Sequence, residues 1–213
     1  MIYDFPDQQA PIRQGDIFQR IPRVDLNLSA LPVFSDPDLS QVEALDWLMI
    51  CHEAETTRAL ATLRPVYAIV ITQDCDVLRA RDIALCEIDH FEDVYPNAKG
   101  AAYPKKTMSL ITQHARQHLK WFYLPPEPQI GFARAMAADF QSVLRVSRAY
   151  LEQNIVGLRL ARLNDLADEH FRERLAEYFR RYPYDEWYPL DKAEFDEYRR
   201  SKSELIQPFP WQE

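Results

Sequence analysis

Apolar and polar positions along this chain fall into blocks of changing period. Residues 66–72, VYAIVIT, form a continuous β-branched and aromatic run, which predicts a strand buried on both faces. IALCEID at 83–89 predicts the next strand, and the intervening QDCDVLRARD is too polar for a core and predicts a rim loop. Upstream, QGDIFQRI at 14–21 predicts a short strand entered through Gly15 and closed by Pro22, followed by an irregular, proline-bearing stretch to residue 38. WFYLPP at 121–126 and ADFQSVLRV at 138–146 predict two further strands.

Helical spacing appears between and after these runs. Ser40 and Glu43 have capping-box spacing, Leu39, Val42, Leu45, Leu48 and Met49 fall on one stripe, and 53–63 is rich in Ala, Leu and Glu. The expectation is a helical insertion at about 38–63 that ends before Pro65. Met108, Ile111, His114 and His118 predict a helix from Thr107 to about Trp121. Asp165 opens a helical pattern to about Arg181, and the aromatic and proline-rich tail from Tyr182 holds a helical patch near 191–200. The class is mainly β with α additions (α+β). Residues 1–150 are expected to form a β domain and 151–213 a helical, aromatic extension packed on it.

Composition narrows the setting. With 213 residues, 47% hydrophobic, the chain suffices for one good core. No apolar run approaches the roughly 18 residues that span a bilayer, and the start, MIYDFPDQQ, is acidic where a signal peptide is basic then apolar. A cytoplasmic protein without membrane contact is expected. Three cysteines, Cys51, Cys75 and Cys86, predict reduced thiols. A net charge of −8 opposes indiscriminate binding to phosphate backbones, so any RNA contact requires a local patch. Only 4 glycines against 15 prolines argues against tight glycine hairpins.

Candidate chemistry concentrates at the end of the 66–72 strand, where Asp74, Cys75 and Asp76 emerge together. Cys75 is a candidate nucleophile, although flanking carboxylates raise a thiol's pKa. The alternative is that Cys75 fills a small buried site while Asp74 and Asp76 cap backbone donors or pair with Arg79 and Arg81. His114 and His118 have two-ligand helix spacing, but HARQH lacks the glutamate of HExxH and no CxxC exists, so no metal or cofactor is expected. Basic residues of the second half alternate with acids, as on a solvated face. Tyr182, Tyr184, Trp187 and Tyr188 lie among acids and point to a protein partner rather than to stacked bases.

The order GDIF, RPVYAIVIT, IALCEID resembles the core of the PemK/MazF-like small-barrel family, with Gly15, Asp16, Arg64 and Pro65 at matching positions. ITQDCDVL, YLPP and DFQSVLRV look like a bacterial group sharing that signature plus a Gln-x-Cys-Asp strand end. The resemblance implies a small antiparallel β-barrel and, from toxin members, metal-independent RNA cleavage in which Arg64 stabilises the phosphorane. The family's hydroxyl residue after the third strand is missing; Asp89, His90 and Phe91 stand there, and His90 is the substitute acid or base. Two function classes follow. One is a toxin-like or phage-defence endoribonuclease using Arg64, Asp74, Asp76 and His90. The other is a degenerate adaptor that binds a protein partner, such as an antitoxin or defence-complex subunit. A homodimer is compatible with both.

Overall fold

The computed structural model describes residues 2–34, 40–52, 56–94 and 120–180. Strands β1 (Tyr3–Asp4), β2 (Asp16–Asp25), β3 (Leu31–Phe34), β4 (Val42–Leu45), β5 (Thr62–Val70), β6 (Asp82–His90), β7 (Trp121–Leu124), β8 (Met136–Ser147) and β9 (Arg159–Leu163) dominate the described residues. Helices are fewer: α1 (Trp47–Ile50), α2 (Asp74–Val77), α3 (Phe91–Val94), α4 (Arg148–Gln153), α5 (Ile155–Leu158) and α6 (Asp165–Arg180). Seven strands pair antiparallel in the order β1-β9-β2-β5-β6-β8-β7, and β3 with β4 makes a separate ribbon.

Alternation along β5 sorts its side chains to two cores. Val66, Ala68 and Val70 join Phe18, Ile21, Ile83 and Leu85 on one face, covered by Ile12, by Val77 of α2 and by Leu151 and Leu158 of α4 and α5. On the other face, Phe171 of α6 meets Phe122 and Phe140 edge-on at 5.1 and 5.7 Å. Tyr67 meets Phe132 at 5.4 Å. A sheet buried on both faces explains why 66–72 reads as a continuous apolar run.

The sheet curls into a half-barrel. Tyr3 on the β1 edge donates its hydroxyl proton to the Pro125 carbonyl, 2.7 Å away and just past β7 on the opposite edge. Its ring also packs against Phe132. Edge strands with unpaired backbone are liabilities, and this contact brings the two edges together.

Three expectations require correction. The helical insertion is mostly strand: Val42–Leu45 pairs with Leu31–Phe34, only Trp47–Ile50 is helical, and β5 already begins at Thr62. The ribbon wins because it gives Leu31 and Val33 partners for burial, Leu45 and Ile50, in a small core of their own. Asp46, not Ser40, caps the helical turn, accepting from the Leu48 amide. Pro22 does not close β2, which continues to Asp25 with Pro22 opposite Pro65. Neither proline has an N–H to donate, and β9 and β6 reach neither position from outside. Past residue 150 the chain supplies β9 between β1 and β2, and the first of two compact units runs to Leu175, the second covering Ala176–Glu213. The expected helix from Thr107 and the tail from Tyr182 lie outside the described residues.

Replacing Tyr3 by Phe keeps the ring and strands the Pro125 carbonyl. Urea unfolding is expected to show a loss of about 1 kcal/mol, the net worth of one partly buried hydrogen bond.

Candidate functional site

Arg64 lies on β5 directly opposite Arg23 on β2. Two adjacent guanidinium groups repel unless carboxylates intervene. Glu87, fully buried on β6, supplies one: its Oε2 accepts from Arg23 and its Oε1 lies 2.7 Å from Arg64 Nη2. Asp25 supplies the second, accepting from Arg23 Nε at 3.0 Å and Arg64 Nε at 3.1 Å. The four side chains form a closed ring across β2, β5 and β6. Glu87 has room because the residue opposite it on β5 is Ala68.

Two residues along β6, on the same face, stands Asp89. Burial raises its proton affinity, the Glu87 charge raises it further, and Arg64 and Arg23 oppose the rise. His90 follows at the last position of β6, exposed and opposite Met136. By strand alternation it faces away from Arg64.

Asp74 is at the other end of β5. Arg64 to Val70 alone covers about 20 Å at ~3.3 Å per residue, and Asp74 lies four residues further on. One phosphate cannot touch both. Asp74 opens α2 and accepts from the Gln14 amide (2.8 Å), from Arg13 Nε and Nη2 (3.2 and 3.1 Å) and from Arg172 Nη2 on α6 (2.9 Å). Burial pushes its pKa up, but the Gln14 amide and the Arg13 and Arg172 charges outweigh that and hold the carboxyl below its ordinary value. Arg79 and Arg81, the partners expected from sequence, are not used.

Arg172 also reaches Asp168 at 2.6 Å. Asp168 is held above the ordinary carboxylate value by burial, against the pull of Arg172. Its Oδ1 lies against Gly15, where a Cβ would sit 2.9 Å away, and Gly15 has φ +81°, so only glycine fits there. The neighbouring Asp16 is fully buried and bound by Arg162 Nε at 2.5 Å and Arg159 Nη1 at 3.4 Å. Those arginines also donate to the Asp7, Ala10 and Pro11 carbonyls, fixing the loop before β2 onto β9.

The expected buried site for Cys75 is not found: the residue is exposed, its thiol 3.9 Å from Gln73 Oε1. Asp76 is exposed beside it. Cys86 is buried, and desolvation pushes its thiol up to about 12, far from thiolate chemistry at neutral pH. No group of three or more His, Cys, Asp or Glu side chains among the described residues is arranged to hold a metal ion. His114 and His118 lie outside them. The structure therefore separates the five candidates into Arg64 at one end of β5, Asp74, Cys75 and Asp76 at the other, and His90 on the opposite face.

Arg23, Glu87, Arg13, Asp168 and Arg172 escaped the sequence reading. A signal existed for Glu87, which is in phase with Ile83 and Leu85 on a buried strand, a position that obliges a charged partner. Asp168 and Arg172 carried helical i, i+4 spacing. Comparison with known proteins finds no matching family model, no matching curated protein and no matching solved structure.

Two measurements check these assignments. Glu87→Ala leaves two arginines sharing Asp25 alone and is expected to cost about 3 kcal/mol in denaturant unfolding, the low end for a broken buried pair because both arginines reach water. Asp74 has a lowered folded pKa, so its contribution is present above the unfolded carboxylate value and is lost as pH falls through the folded value. Asp74→Asn is therefore expected to flatten the acid limb of the stability–pH curve while lowering stability at neutral pH.

Proposed function

We propose that this chain is a non-catalytic interaction subunit of a bacterial toxin-like or phage-defence system, a degenerate PemK/MazF-like half-barrel that binds a protein partner in the cytoplasm. The observation that carries this reading is the ring around Arg64. Its guanidinium is held by Asp25 and by buried Glu87, and Asp89 adds a further acid to a group of no net positive charge. A phosphate arriving there meets two arginines already matched by two carboxylates. The second support is the engagement of Asp74 by Arg13, Arg172 and the Gln14 amide, which suits a structural lock. A third is exposed apolar surface at Leu26, Leu28, Trp47, Leu48, Met49 and Leu63, between 43% and 67% accessible, more than isolated surface residues require. Among the described residues no helix is long and apolar enough to cross a membrane.

One observation favours the other reading, a metal-independent endoribonuclease. Asp89, with its raised proton affinity, shares a face with Arg64 and stands where the family's hydroxyl residue is missing. A protonatable carboxyl beside an arginine suits proton transfer at an anion.

An RNA-integrity assay separates the two. Expression of the wild type is expected to leave cellular RNA intact, with Arg64→Ala, Asp74→Ala and Asp89→Asn indistinguishable from it. RNA cleavage that Arg64→Ala or Asp89→Asn abolishes overturns the adaptor reading.

A further inference from the structure

The ribbon of β3 and β4 has an open side. Phe34 donates its amide to the Arg58 carbonyl at 3.0 Å, and the Pro32 carbonyl accepts from the Leu60 amide at 2.8 Å. Pro32 and Phe34 thus turn their backbone groups away from β4. In an antiparallel ladder such residues make the non-hydrogen-bonded pairs. Their partners, Ala44 and Val42, must therefore turn their own N–H and C=O groups away from β3, toward the outer edge. Among the described residues no strand occupies that edge.

Charge identifies what fits there. From Val24 to Thr57 the sequence has no Lys or Arg, and the charged side chains described on β4 and directly after it, Glu43 and Asp46, are both acids. Exposed on β4 is Val42, and exposed on α1 directly after it are Trp47, Leu48 and Met49. Glu43 is exposed on β4 itself. A second copy would bring the same acids against themselves, which opposes self-pairing. The complement is an extended segment that alternates apolar and basic side chains.

We propose that the outer edge of β4 takes up an extended, lysine- or arginine-bearing segment of a partner protein by strand addition. The proposal rests on the adaptor reading and names its surface. Main-chain hydrogen bonds to Val42 and Ala44 supply the pairing, and the acidic, apolar surroundings select the partner's side chains.

The test uses the full chain and a fluorescein-labelled peptide of about ten residues alternating Lys and Val, with a Glu–Val peptide as control. The Lys–Val peptide is expected to bind, to weaken as salt rises, and to protect the Val42 and Ala44 amides from hydrogen exchange, while the Glu–Val peptide does not bind. Ala44→Pro removes one outward N–H and leaves the β3 ladder intact, since proline is tolerated on edge strands. It is expected to weaken binding by about tenfold or more with unchanged circular dichroism. Lys–Val binding that leaves the Val42 and Ala44 amides unprotected overturns the proposal, as does equal binding of both peptides or none. The exchange measurement on the wild type decides the matter even if Ala44→Pro fails to fold. A wild-type dimer in size-exclusion chromatography that Ala44→Pro dissolves assigns the edge to a second copy and also overturns it. Arg64-dependent RNA cleavage instead removes the adaptor reading and leaves the exchange result at β4 to stand or fall by itself.

Discussion

Glu87 cannot be buried alone. A carboxylate taken out of water without partners costs several kcal/mol, and this one lies in the middle of the main sheet with no exposed surface. Its two oxygens face arginines from two other strands, β2 and β5, and Asp25 closes the group from the far side. Register is thereby fixed across three strands: a slip of one residue would turn Arg64 to the other face and leave Glu87 buried without its partner. The apolar cluster of Ile21, Val66, Ala68 and Leu85 begins where the ring ends. The same requirement that holds the sheet together commits the Arg64 guanidinium to two carboxylates while leaving it in reach of water.

The opposite end of β5 follows the same logic with different pieces. Asp74 ties the loop before β2 to α6 through Arg13, Gln14 and Arg172, and Gly15 lets α6 approach because it has no side chain to meet Asp168. Asp16 then anchors that loop to β9. Conspicuous acids after a buried strand need not be reactive; here the most conspicuous one is the junction of three segments distant in sequence.

Strands β5, β6, β7 and β8 were legible because their apolar runs are long or alternate cleanly, and α6 because its stripe matches a helix over sixteen residues. The stretch from Leu31 to Ile50 was not legible. Val42, Leu45, Leu48 and Met49 satisfy a helical period, and only the pairing of Leu45 with Leu31, a contact absent from any local window, selects the strand. Proline misled in a similar way, since Pro22 sits where β2 owes no hydrogen bond to a neighbour. At the site, residue types were read correctly as unusual but their distances were not, because strand length, rather than sequence proximity, separates Arg64 from Asp74.

Among the described residues, strand β1 pairs with β9 alone, Tyr3 standing opposite Leu163. Its partner therefore comes about 160 residues later in the chain. Until β9 is made, β2 also lacks that neighbour, and Asp16 at the start of β2 has neither Arg159 nor Arg162 to bind. Contacts this far apart in sequence slow folding, since the chain orders itself before they reward it. During synthesis the edge of β2 that β9 later covers therefore stays open, a consequence of strand order alone.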